Sequence, residues 1–191
     1  EPQAHYAEVI MQINDINKEF LDIRMPVWTQ GSYLIREFSK NVESFAATTA
    51  GSNEVLKVEK YNKNTWRVYS KQQNVIITYR VYAFEISVRT AFIDASHAFL
   101  SPASIFMYVD GQLGQPATVT VQPYKNWTKI STGLKPVHGK ANTFYAPDFD
   151  VLFDSPIEAG NQDVFEFKAA GVRHEVAMVG GGNYKKDQLK K

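Results

Sequence analysis

With 191 residues, 44% of them hydrophobic and 13% aromatic, the chain carries enough apolar surface for one substantial core and is too apolar to stay disordered. A formal net charge of +1, both signs interspersed, excludes the electrostatic footprint of a nucleic-acid binder or a polybasic membrane anchor, so neither nucleic acid nor membrane is an expected partner. The absence of cysteine excludes disulfides, thiolate nucleophiles and Cys-based metal sites together. No apolar run is long enough to span a bilayer, and Glu1-Pro2-Gln3-Ala4-His5 is not a signal peptide, which leaves a soluble protein of cytoplasm or periplasm.

Val9, Met11 and Ile13, then Leu21, Ile23 and Met25, alternate with more polar neighbours, which predicts two half-buried strands joined as an opening hairpin through Asp15-Ile16-Asn17-Lys18. A turn-rich aromatic loop follows, Met25-Pro26-Val27-Trp28-Thr29-Gln30-Gly31-Ser32-Tyr33-Leu34-Ile35-Arg36-Glu37-Phe38, in which Pro26 limits φ and Gly31 permits positive φ. Leu34 to Lys40 predicts a short helical turn, Val42 to Thr48 a strand, and the turns at Gly51-Ser52-Asn53 and Asn62-Lys63-Asn64 separate further antiparallel strands around Val58 and Trp66. The longest β-like run extends from Asn74 to about Arg89, with Val75, Ile77, Tyr79 and Val81 on one face.

Ile105, Met107 and Val109 lead to the Asp110-Gly111 turn, Ala117 to Gln122 reads as a strand, and Pro123 to Pro136 as irregular chain around Trp127. Thr143 to Ala146 and Val151 to Phe153 flank Asp148-Phe149-Asp150. Two closing strands turn at Ala169-Ala170-Gly171, and Gly180 to Lys191 reads as the start of a linker. The fold class predicted is all-β in the main, an antiparallel β-sandwich or saddle-like domain over residues 1–179 with few short helical turns.

Four constellations invite chemistry. His174-Glu175-Val176-Ala177-Met178 begins like the zinc motif HExxH, but Met178 stands where the second histidine is needed and the segment alternates as a strand. Asp94 and His97 lie three apart and read as a polar turn closing the long strand; Asp148, Asp150, Asp154 and Glu158 lack calcium-loop spacing and read as a solvated acidic loop. Arg36 and Glu37 read as an ion pair stapling the aromatic loop. None supplies a catalytic set, and no catalytic or metal residue is assigned within the chain.

Three blocks resemble one family. The aromatic loop is similar to the MPxWTPGSYLxREF signature of the M61 zinc aminopeptidases, with Gln30 where the family commonly has Pro; Val81-Tyr82-Ala83-Phe84-Glu85-Ile86-Ser87-Val88-Arg89-Thr90 resembles VYAxExSVRT; and Asp154-Ser155-Pro156-Ile157-Glu158 matches DSPIE. The part resembled is the noncatalytic N-terminal β-domain. The resemblance implies that zinc and the hydrolysis of N-terminal glycine or alanine belong to a catalytic domain beyond this chain, sometimes followed by a PDZ-like module. It further implies that the β-domain packs on that domain and helps wall the peptide cleft, with Trp28, Tyr33, Arg36, Glu37, Asp94, His97, Asp154 and Glu158 as the substrate-cleft or interdomain candidates. The alternative is a free-standing β-sandwich that binds peptide or carbohydrate through Trp28, Tyr33 and Trp127.

Overall fold

The computed structural model describes residues 2–189, so Glu1 and the last two lysines of the expected linker, Lys190 and Lys191, lie outside the described residues. Its first half comprises β1 (Tyr6–Ile13), β2 (Leu21–Arg24), β3 (Val42–Thr49), β4 (Val58–Asn62), β5 (Thr65–Val68) and β6 (Val75–Tyr82). The second half continues through β7 (Phe92–Ile93), β8 (Ala98–Leu100), α1 (Pro102–Ile105), β9 (Tyr108–Val109), β10 (Ala117–Thr120), β11 (Lys129–Thr132), β12 (Lys135–Pro136) and β13 (Thr143–Ala146). It closes with α2 (Phe149–Phe153), β14 (Ile157–Gly160), β15 (Asp163–Ala169), β16 (Val172–Met178) and α3 (Lys186–Leu189).

The protein is mainly β, with several antiparallel sheets and few short helices, as its alternating sequence predicts. Sheets β1-β6-β3 and β4-β5-β2-β9 share the main core. On β6, Val75, Ile77, Tyr79 and Val81 are buried while Thr78 and Tyr82 face out, and on β2 Leu21 and Ile23 are buried beside more open Asp22 and Arg24. That period of two is what puts one face of each sheet out of water. Phe45 bridges the two layers, its ring stacked on Trp66 at 5.1 Å and on Tyr79 at 6.2 Å. Full burial of one such large side chain stabilises by roughly 1.5–3 kcal/mol. A smaller cluster of Leu134, Ala146, Phe149 and Leu152 lies where α2 meets β13.

Several local expectations are corrected. β1 and β2 are not a hairpin: β1 pairs with β6, whereas β2 pairs with β5 and β9. Residues 14–20 cross from one sheet to the other because each strand's apolar face is completed by different partners. The long run ends at Tyr82, after which Ala83 N donates to His5 O at 2.8 Å and the chain leaves the sheet as a loop through residues 84–91. The helical turn near Leu34 forms later, as a 3-10 turn at Phe38–Asn41.

Ile105, Met107 and Val109 are all buried, yet Ile105 belongs to α1, because Pro102 at its first turn presets a helical φ. The stretch expected to be irregular contains β11 and β12, and Trp127 within it is a core residue, 9% exposed. The closing hairpin β15–β16 forms as expected, turning at Ala170 and Gly171, both with positive φ. His174 therefore sits on a strand, stacked on Phe167 at 5.0 Å.

Candidate functional site

The aromatic loop is held by its own backbone and by the β4–β5 turn. Arg36 N donates to Val27 O at 2.6 Å, Ser32 N to Thr29 O at 3.2 Å, and Gly31 takes φ +68°, the conformation a residue with a Cβ adopts at a cost. Asn64 fixes the loop's start, its amide donating to Met25 O at 3.0 Å. The expected Arg36–Glu37 pair does not form: Arg36 Nη2 donates to Ser32 Oγ at 3.0 Å, and Glu37 meets Lys63 at 3.4 Å. Successive side chains here point apart, so each charge finds a partner across the loop. Trp28 donates its indole N–H to Ser32 O and remains 49% exposed, while Tyr33 stands free in solvent at 105%.

The loop 84–91 is pinned by Thr90 Oγ1 donating to Glu85 O at 2.8 Å and Arg89 N donating to Ser87 Oγ at 3.1 Å. In the acidic block, Asp148 is the N-cap of α2, its Oδ1 accepting from Val151 N at 2.7 Å, and Asp154 closes the helix. The block is thus not the solvated acidic loop expected, because a short helix uses one carboxylate as a cap and β14 draws Glu158 inward.

These three segments converge. Gln30 and Gly31 of the first, Val88 and Arg89 of the second, and Asp154 and Pro156 of the third line one cleft of about 170 Å³, with Pro102 of α1 and Phe153 of α2 as apolar wall. With its amide nitrogen turned toward the carboxylate, Gln30 donates to both Asp154 oxygens, at 2.9 and 3.0 Å. A larger hollow of about 420 Å³ opens elsewhere, beside Phe20, Asp22 and Asp110, but its acids are already engaged: Asp22 by Arg67, Asp110 by Arg24 and Glu19 by the Gln72 amide. The smaller cleft is the candidate site because the three segments meet there and, among the described residues, none of its charged groups is held in an ion pair.

Asp94, His97 and Glu158 form a separate group that does not line the cleft. Glu158 Oε1 and His97 Nδ1 are 2.7 Å apart, 14% and 18% exposed, and the His97 ring lies 5.4 Å from Phe92. Burial pushes the Glu158 carboxyl up from its ordinary range, partly opposed by the His97 contact. Asp94 also loses hydration, but bonds from Ser96 N and Oγ and from His97 N outweigh that and hold its carboxyl below the ordinary value. This is the hydrogen-bonded polar turn its spacing predicts, but it joins β7 to β8 rather than closing the long strand, which ends at Tyr82.

Among the named candidates, then, Asp154 alone lines the cleft; Trp28, Tyr33, Arg36 and Glu37 belong to its first loop. Thr29, Gln30, Arg89 and Phe153 are lining residues that were not singled out, although Thr29, Gln30 and Arg89 stand inside the blocks that carry the family resemblance. Among the described residues no group of three or more His, Cys, Asp or Glu side chains could hold a metal ion, so the residues present do not fit zinc. None of the described helices is long and apolar enough to cross a membrane.

The family described as Peptidase M61 N-terminal domain matches residues 1–161. The chain belongs to that family. A crystal structure of an aminopeptidase N family protein from Idiomarina loihiensis superposes on it with a TM-score of 0.89 at 30% identity, covering 99% of this chain and 32% of that one. The chain thus spans about a third of that relative's length. No curated protein matches. Trp127, buried and donating its indole N–H to Ala95 O at 3.3 Å, is an anchor of the M61 domain's core and is withdrawn from any aromatic binding face.

Proposed function

We propose that this chain is the noncatalytic N-terminal domain, residues 1–179, of a zinc-dependent aminopeptidase that removes N-terminal glycine or alanine from peptides, with residues 180–191 beginning the linker to the catalytic domain. The observation that carries the reading is the convergence of three segments, distant in sequence, on one cleft. Apolar side chains of the same segments stand uncovered beside it, among them Tyr33, Leu34, Ile35, Ile86 and Val88. Such a face suits packing against another protein surface, here the catalytic domain, and would place the cleft at the mouth of the peptide channel.

On that domain, zinc would polarise the scissile carbonyl and activate water. This chain's part is to bind and orient the peptide at the cleft where the three segments meet. The test is release of glycine from a glycyl-arylamide. The full-length protein should show it and lose it to a chelator, while the purified 191-residue chain should show none; chelator-sensitive release by the chain itself would sink the reading.

A further inference from the structure

We infer that the cleft is a carboxylate-binding site in which Arg89 recognises a carboxylate carried by a peptide. Arg89 is half-buried in the cleft wall, and among the described residues its guanidinium has neither an ion pair nor a hydrogen bond. This differs from Arg24, Arg67, Arg80 and Arg173, each of which meets an acid. The one carboxylate lining the cleft, Asp154, takes the Gln30 amide on both oxygens and forms no ion pair with Arg89.

A second, independent observation points the same way. Thr29 lines the cleft, is only 7% exposed, and its Oγ1 is buried without a hydrogen-bond partner among the described residues. A buried hydroxyl left unpaired costs about 1–3 kcal/mol, a cost that a ligand acceptor would relieve if a small shift of the cleft wall let it reach Oγ1. A fork of guanidinium donors with one added hydroxyl donor matches a planar, two-oxygen anion better than a cation or a neutral amide. Val88, Pro102, Phe153 and Pro156 around them offer apolar contact to the residue that bears the carboxylate. At about 170 Å³ the cleft is small and suits one such residue rather than a folded segment.

The inference rests on the proposed function only in taking the ligand to be a peptide. It is tested by titrating the isotopically labelled 191-residue chain with Gly-Ala-Phe, with its C-terminal amide, and with amidated Gly-Asp-Gly, following the backbone amides of residues 29–31 and 88–89 by NMR. The free acid should bind at least about tenfold more tightly than its amide, the difference expected for one charge-assisted contact. Binding by amidated Gly-Asp-Gly equal to that of the free acid also supports the site and shows that it accepts a side-chain carboxylate as well. Arg89→Ala should abolish the acid's advantage, Arg89→Lys restore part of it, and Thr29→Val weaken it at unchanged thermal stability. Equal affinity for acid and amide, or no shift at those amides at millimolar peptide, overturns the inference. Because the readout is binding and not hydrolysis, that result would leave the glycine-release test standing, and the reverse also holds.

Discussion

A Cβ built at Gly160 would stand 2.9 Å from His97 Cβ and 3.4 Å from the Ser96 carbonyl oxygen, closer than ordinary contact allows. The glycine lets β14 approach the 94–97 turn closely enough for Glu158 to reach His97. Gly160→Ala should therefore lower unfolding free energy by about 1–3 kcal/mol, the usual cost of overpacking a filled site, and separate the His97–Glu158 pair. Chemical denaturation checks the first, and an unchanged midpoint would mean the turn gives way freely. Both members of the pair were nominated from sequence for separate reasons, but their meeting was not legible, since it depends on the register of β14 with β8, in which Glu158 lies opposite Phe99. Thr29 and Arg89 were illegible for a related reason: an unpaired group is defined by what surrounds it, and neighbours in space are set by topology.

Among elements, β2 and β5 show how a local charge pattern becomes a cross-strand lock. Asp22 lies directly opposite Arg67, and both oxygens accept from the guanidinium at 2.8 Å, with both side chains largely shielded from solvent. Arg67 holds the Asp22 carboxyl below its ordinary range, against the opposing effect of burial. The folded-state value thus lies below the unfolded one of about 3.9, so the stabilisation is present above that pH and is lost as pH falls through the folded value. Asp22→Asn should cost about 1.5–3 kcal/mol near neutrality and progressively less below pH about 4. Urea unfolding at a series of pH values measures it, and a cost constant with pH would refute the ionic origin. Glu158, whose carboxyl is raised, acts with the opposite sign: its contribution is present at low pH and is lost as pH rises through the folded value.

The same elements show which parts of the fold alternation can and cannot disclose. The inward face of β6 and the hairpins β4–β5 and β15–β16 follow from period two and local turn residues. The pairing of β1 with β6 does not, because two strands with apolar faces carry no mark of which sheet each completes. At α1 and α2, short helices occur in segments too brief for a period of 3.6 to separate from one of two.

For the molecule as a whole, the distribution of apolar surface is uneven in a way that bears on the proposed docking. Tyr33 and Ile35, 105% and 83% exposed, sit on the loop that also contributes Gln30 and Gly31 to the cleft, whereas Leu21 and Ile23 of β2, Trp66 and Val68 of β5 and Val75, Ile77 and Tyr79 of β6 are buried. Residues that touch nothing contribute little to the stability of the chain that bears them, typically within ±0.5 kcal/mol when replaced. If the catalytic domain covers this face, the same residues become buried in the whole protein, at roughly 1.5–3 kcal/mol for each large side chain removed from water. The double variant Tyr33→Ser with Ile35→Ser should then leave the melting temperature of the 191-residue chain almost unchanged. In the full-length protein it should lower the melting temperature and speed limited proteolysis within residues 180–191, where a loosened interface exposes the proposed linker. Equal effects on chain and full-length protein would show that this face stays in water, and the docking surface would have to be sought on another side of the sheets.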